Sequence, residues 1–453
     1  MTLRSNNPYT NSVIEEFEEL SANDVEQKLF RSGEAFNTWR KTTFDYRKSL
    51  MNKVSGLLTE QIQQYAGSIT AEMGKPIRES KAEVEKCAWA CDYYVKNAEN
   101  FLSAEHILTD ATESYVNYEP LGSILGIMPW NFPFWQVFRF AVPTLMAGNA
   151  VLLKHASNVQ ICARHIENIF STAGFPSSVF LNLVVGSDRV GKIIENDMVK
   201  AVSLTGSETT GQKVAEIAGS TIKKTLLELG GSNAFVVLAD ADLEKAAEIG
   251  LNARMQNAGQ SCIAAKRFIV DEKISERFIA LFNKKLKALR PGDPTREETD
   301  IGPLASIPQA KAVEKQVRKS VEMGARIIAG GYPDLAFYPP TILADVKPGM
   351  PVFDEEVFGP VAPVIIARDS EEVVTLANQT KFGLGVSLFI NDLEKARKMI
   401  QEFNDGAVFI NALVKSDPRL PFGGTKRSGF GRELAVQGIR EFVNIKTVYI
   451  KKF

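Results

Sequence analysis

The sequence predicts an α/β protein built on parallel sheets and divided into two or three domains. Three observations carry this. From about residue 120 onward, short apolar runs alternate with segments of helical period, the pattern of successive βαβ units. The alternation falls into two series that meet near residue 230. And 453 residues exceed what one hydrophobic core ordinarily holds.

Taken in order, residues 13 to 105 read as helices, with apolar residues every three or four positions and charges between them. SYVNYEP (114–120) alternates enough to be a strand, and SILGIMPW (123–130) reads as a buried one. The first series then runs through AVLLK, CARHIENIFSTAG, VFLNLVV, VGKIIEN, KAVSLTG, TTGQKVAEIAG and KTLLELGG. The second opens with AFVVL and closes with AVFIN near residue 410. A segment rich in Gly, Pro and Arg, RLPFGGTKRSGFGRE (419–433), precedes a last strand, IKTVYI (445–450).

Composition excludes several classes of function. With 53 basic and 54 acidic side chains there is no basic excess for nucleic acid. No run of apolar residues is long enough to span a membrane, and the N-terminus lacks the pattern of a secretory signal, so a cytoplasmic location is expected. Four cysteines form no disulfide framework. Three histidines argue against a multi-histidine metal site and against a Ser-His-Asp hydrolase, so no metal is expected.

Three segments carry chemistry. In NAGQSC (257–262), small and polar residues surround one thiol, and a thiol in such a loop can be tuned towards thiolate. Alone, Cys262 reads better as a packing residue, since free cysteines are usually inert. In LLELGGSN (226–233), Glu228 sits inside an apolar run, where desolvation raises a carboxylate towards the range of a general base. In GIMPWNFPFWQ (126–136), a rigid aromatic turn presents the amide of Asn131, suited to a developing oxyanion.

These segments, in this order, resemble the aldehyde dehydrogenase superfamily. PWNFP, LELGGSN, GQSC, EEVFGPV and PFGGTKRSGFGRE are similar to its successive signature segments, across nearly the whole chain. The resemblance implies the aldehyde-dehydrogenase fold. Its parts would be a Rossmann-like cofactor domain (1–113 and 121–229), a catalytic domain (230–432) and a bridging element (114–120 and 433–453) that joins subunits into dimers or tetramers. It implies Cys262 as nucleophile, Asn131 with the Cys262 backbone N–H as oxyanion donors, and Glu228 as the base that activates water against a thioester. For the cofactor it implies Gly206, Ser207 and Gly211 at the diphosphate, Glu356 and Phe358 at the nicotinamide end, and Pro129, Trp130, Leu229 and Lys154 as further contacts.

One position departs from a common pattern. NAD-preferring members carry a glutamate three residues after the lysine; here it is Ser157. A serine donates to a 2′-phosphate and leaves Lys154 free to pair with it, so NADP is expected over NAD. Arg139, LKHASN and VKSDPRLPFGG together resemble bacterial succinate-semialdehyde dehydrogenases. This implies an aldehyde with a distal carboxylate, contacted by Arg139 and Ser416, with Trp135 and Ser261 beside it. Where some members carry a second arginine this chain has Gln256, which leaves glutarate semialdehyde and plain aldehydes open. Ile263, Ala264 and Ala265 follow Cys262, so no neighbouring cysteine forms a redox switch with it. A thiol esterase or acyltransferase without hydride chemistry, and a catalytically dead relative, are the competing classes.

Overall fold

The computed structural model describes residues 2–453. Its framework is two open sheets. The first has six strands in the order Gly429–Phe430, Lys224–Glu228, Val199–Thr205, Ser123–Met128, Ala150–His155, Phe180–Asn182. All neighbours are parallel except Gly429–Phe430, which runs antiparallel to Lys224–Glu228. The second has seven strands in the order Arg326–Ala329, Thr341–Ala344, Val361–Ala367, Ala265–Asp271, Asn233–Val237, Val386–Phe389, Val408–Ile410, with only the first pair antiparallel. The inner strands are mostly apolar and buried at every position, as parallel strands covered by helices on both faces must be.

The register of these sheets makes the site. In the first sheet Met128 stands opposite His155 and Thr205 opposite Glu228, so four strands end at one edge. The loops that follow carry Pro129 to Asn131, Ser157, Gly206 to Ser207, and Leu229 to Gly230. Ligands of open α/β sheets sit at this carboxyl edge. Chain passes from the first sheet to the second through Leu229–Ser232 alone, and Asn233 opens its strand opposite Ala265. Cys262 lies three residues before Ala265. The amino edge of the second sheet, with its thiol, is thereby set against the carboxyl edge of the first.

A third sheet of three strands pairs Val443–Ile450 with Glu113–Pro120, and that strand with Glu105–His106. Pairing with the C-terminal strand follows the expectation; Glu105–His106 lies outside the segment expected to take part.

The first hundred residues differ from expectation at their start. Thr2–Asn7 and Ser12–Glu18 form an antiparallel hairpin, and helix begins only at Ala22. In SVIEEFE the partly buried residues alternate as in a strand, so a period of two outcompetes the helical reading. The helices that follow include Ile77–Phe101, packed on Trp135–Met146, in which every residue is buried.

Candidate active site

The nucleophile loop is held in a sparsely populated backbone conformation. Asn257 (φ 54°), Ala258 (φ 50°) and Gly259 (φ 75°) are consecutive left-handed residues. Such residues cost of order 1–3 kcal/mol each unless their surroundings fix them. Here they do. Glu79 accepts from the Asn257 N–H (2.7 Å), and the Asn257 side chain donates to the carbonyls of Asn131 (2.8 Å) and Gln260 (3.1 Å). Gln260 donates back to the Asn257 carbonyl (3.1 Å) and accepts from the Ala305 N–H (2.9 Å). At Gly259 a Cβ would come within 2.4 Å of the Gly359 carbonyl oxygen, so only glycine fits. Lys266 donates to the carbonyls of Ser261 and Cys262, each at 2.8 Å.

Asn131 is buried beside this loop. Its Nδ2 donates to the Gln260 carbonyl (3.0 Å), which uses one of the amide's two N–H groups and leaves the other free. The turn that carries Asn131 is clamped by His155, whose Nδ1 accepts from the Ala156 N–H (2.9 Å) and whose Nε2 contacts the Pro133 carbonyl (2.9 Å). Burial lowers the His155 pKa to about 4, so the ring is neutral. Behind the turn, Glu83 accepts from the N–H groups of Phe134 (2.8 Å) and Trp135 (3.0 Å), filling the unsatisfied donors at the start of the helix Trp135–Met146. Glu83 is itself paired with buried Lys75.

Cys262 lines two cavities at once. The first, of about 760 Å³, is walled by Pro129, Trp130, Asn131, Gly206, Ser207, Leu229, Glu356 and Phe358. Ser207 caps the helix Glu208–Ser220, its hydroxyl accepting from the Thr210 N–H (3.3 Å). A helix N-terminus therefore opens at this wall, which suits a phosphate. Trp130 and Phe358 meet edge to face at 5.7 Å, and Glu356 is fixed by the Gly231 N–H (3.1 Å) and by Lys266 (3.0 Å). At Gly230 a Cβ would lie 2.2 Å from Glu356 Oε2, so bare backbone is required there. An elongated group with phosphates at one end and a flat ring at the other fits this wall.

Three expected cofactor residues stand off the cavity. Gly211 is one helical turn in, against the Leu229 methyls. Lys154 is buried in its strand; burial lowers its pKa, opposed by the charges of Glu19 and Asp188. Ser157 is half-buried in the turn after that strand. Both belong to the same sheet edge.

The second cavity, of about 820 Å³, holds Trp135, Arg139, Ser261, Cys262 and Ser416, and with them Glu79, Lys86 and Gln256. Arg139 is here as expected, but its guanidinium is ion-paired with Glu433, contacts Thr205 Oγ1 (3.3 Å) and lies over the Phe422 ring.

Glu228 lines neither cavity. It ends its strand 2% exposed, with neither carboxyl oxygen hydrogen-bonded. Burial, then the nearby Glu433 charge, raises its pKa well above the carboxylate range, against the pull of Arg139 and Arg432. The thiol departs from expectation. Burial pushes Cys262 up to about 11; Arg139 and Lys266 pull down, Glu356 and Glu228 push up. At rest it is a thiol, not a thiolate, because desolvation outweighs the pull of cations that Glu433 and Glu356 already pair. Cys87, Cys91 and Cys162 are fully buried, and burial raises their thiols well above the ordinary value, which makes them inert packing residues. Glu79, Lys86, His155, Gln260 and Lys266 had no legible sequence signal beyond charge or polarity inside an apolar pattern.

A half-buried cysteine shared by a sheet-edge cavity and a separate polar pocket marks the candidate site of an enzyme that works beside a bound cofactor. The model of the aldehyde dehydrogenase family matches residues 1–448, and the chain belongs to that family. It is 47% identical to a probable succinate-semialdehyde dehydrogenase [NADP(+)] of Synechocystis sp., over 99% of this chain and 100% of that one. It is 46% identical to succinate-semialdehyde dehydrogenase [NADP(+)] 1 of Mycobacterium tuberculosis, again over 99% and 100%. Among solved structures, succinic semialdehyde dehydrogenase from Streptococcus pyogenes in complex with NADP+ superposes with a TM-score of 0.97 at 36% identity, covering 99% of this chain and 100% of that one.

Proposed function

We propose that the protein oxidises succinate semialdehyde to succinate with NADP as the preferred cofactor and NAD as the alternative. The observation that carries this is the single thiol of Cys262 shared by two cavities, one shaped for a dinucleotide and one rich in cations and hydroxyls. Two full-length relatives and a superposable structure bear the same activity and cofactor in their names.

In this reading Cys262 attacks the aldehyde carbon and the carbonyl oxygen becomes an oxyanion. The free N–H of Asn131 and the Cys262 backbone N–H receive it; one such donor is worth roughly 3 to 4 kcal/mol at the transition state. A nicotinamide held by Glu356 and Phe358 beside Cys262 would supply the hydride acceptor for this oxidation. A thioester on Cys262 remains. Glu228 serves as the base for the water that hydrolyses it once it has turned from its dry, unpartnered position towards the thioester and given up the proton it holds there at rest. Arg139 and Lys266 stabilise the negative charge that develops on sulfur. Lys154 and Ser157 would hold the 2′-phosphate end, and Ser207 with Gly206 and Gly211 the diphosphate. Pro129, Trp130, Leu229, Glu356 and Phe358 shape the remainder, and Trp135, Ser261, Arg139 and Ser416 line the substrate's approach.

The first sheet with its helices is taken as the cofactor-binding unit, the second as the catalytic unit and the third as the bridging element. No helix among the described residues is long and apolar enough to cross a membrane, which supports the reading of a cytoplasmic enzyme. The test is a panel of succinate semialdehyde, glutarate semialdehyde, butanal and benzaldehyde crossed with NADP and NAD, read at the absorbance of the reduced cofactor. Succinate semialdehyde with NADP should give the highest kcat/KM. A higher kcat/KM with NAD, or with an uncharged aldehyde, would refute the assignment.

A further inference from the structure

Arg139 enters the substrate cavity with its charge already answered by Glu433. Lys86 does not. It projects from the helix Ile77–Phe101 into the same cavity, over the Trp135 ring at 4.2 Å. Among the described residues it makes no ion pair; its hydrogen-bond partner is Ser416 Oγ at 2.8 Å. Trp135 Nε1 donates to the same oxygen at 2.9 Å. A hydroxyl has two acceptor positions and one hydrogen. Lys86 and Trp135 occupy both acceptor positions, so the Ser416 O–H is left only to donate. Lys86 keeps two further N–H groups. The cavity thus presents converging donors and one positive charge without an ion-pair partner, while the carboxylates of Glu79 and Glu83 on its wall are taken up by backbone N–H groups and by Lys75.

We propose that Lys86, with Ser416 oriented by it, is an anchor for the distal carboxylate of the substrate. This rests on the proposed oxidation of a carboxylate-bearing aldehyde and names the residue that selects it. An ammonium and a hydroxyl donating to one carboxylate make charge-assisted bonds, the strong kind in a desolvated pocket.

The surroundings of Lys86 add a pH signature. Burial, then the charge of Arg139 on the neighbouring helix, lowers the amine to about 8; Cys87 and Glu83 on its own helix and Asp417 beside Ser416 oppose this. Glu79 and Lys415 are the other charged groups on the cavity wall. The amine therefore loses its charge, and the carboxylate its anchor, as pH rises through about 8.

The experiment compares wild type, Lys86→Met, Lys86→Gln and Lys86→Arg with succinate semialdehyde and with butanal, the same four-carbon chain without the carboxylate, at saturating NADP. In Lys86→Met the KM for succinate semialdehyde should rise at least tenfold with kcat within about threefold, while butanal kinetics stay at wild-type values, which also reports an intact fold. Lys86→Gln serves if the methionine variant does not fold, with the same expected rise. Lys86→Arg should restore part of the affinity. The ratio of kcat/KM for the two aldehydes, which cancels the ionisation of the thiol, should fall above pH 8 in wild type and stay flat in Lys86→Met. A wild-type preference for succinate semialdehyde that survives both neutral variants overturns the role of Lys86 and leaves the proposed function standing. The absence of that preference in wild type overturns the proposed function itself.

Discussion

Cys262 is a half-buried thiol whose ordinary ionisation is suppressed, so its reactivity must be developed by bound partners rather than stored at rest. Without ligands, alkylation by iodoacetamide should be slow at pH 7 and rise roughly tenfold per pH unit towards pH 10, since only the thiolate reacts. A rate flat across that range would mean the thiol is ionised at rest. Cys262→Ala should lose aldehyde oxidation by more than about a thousandfold while NADP still quenches its tryptophan fluorescence. Ser157 governs the other end of the reaction. A glutamate there would stand beside Lys154, already drawn on by the charges of Glu19 and Asp188, and would repel a 2′-phosphate. Ser157→Glu should lower the ratio of kcat/KM on NADP to that on NAD at least tenfold; an unchanged ratio would place cofactor choice elsewhere. Cys262, Glu228 and Asn131 were legible because each sits in a long matching segment. Lys86 and Glu79 were not, because a charge on a helix reads as solvent-facing until another element covers it.

At the scale of elements, the site depends on turns that side chains hold from behind. His155 is the clearest case: it ends one strand and pins the turn that follows its neighbour. Its folded pKa of about 4 lies below the ordinary 6.5. Between those values the unfolded chain binds a proton that the folded chain does not, so stability is lost as pH falls through that window, by about 3 kcal/mol in all. Thermal unfolding followed from pH 7 to pH 4 should show a steeper fall in Tm for wild type than for His155→Gln, which keeps a donor but cannot titrate. Parallel slopes would remove His155 from this account. The βαβ alternation was read correctly along nearly the whole chain because strand and helix differ in period. The opening hairpin was missed, since seven residues rich in glutamate satisfy a helical pattern and an alternating one alike, and only pairing with Thr2–Asn7 chooses.

Across the whole molecule, the three-stranded sheet leaves its C-terminal strand at an edge, with Ile445, Tyr449 and Ile450 exposed. An apolar edge strand invites pairing with another copy. The expected result is a dimer or tetramer by light scattering, and a shift towards monomer in the double variant Ile445→Lys, Tyr449→Lys with the secondary structure unchanged. A monomeric wild type would contradict it. By itself, the sequence determined the fold class, the family and the order of the segments that carry the expected chemistry, because hydrophobic period and short motifs are local properties. It could not determine which charges are answered. Glu433 silences Arg139 from 294 positions away along the chain, Ser416 meets Lys86 across 330, and Glu356 reaches Lys266 across 90. Electrostatic strength depends on distance and burial, and those exist only once the two sheets have closed around Cys262.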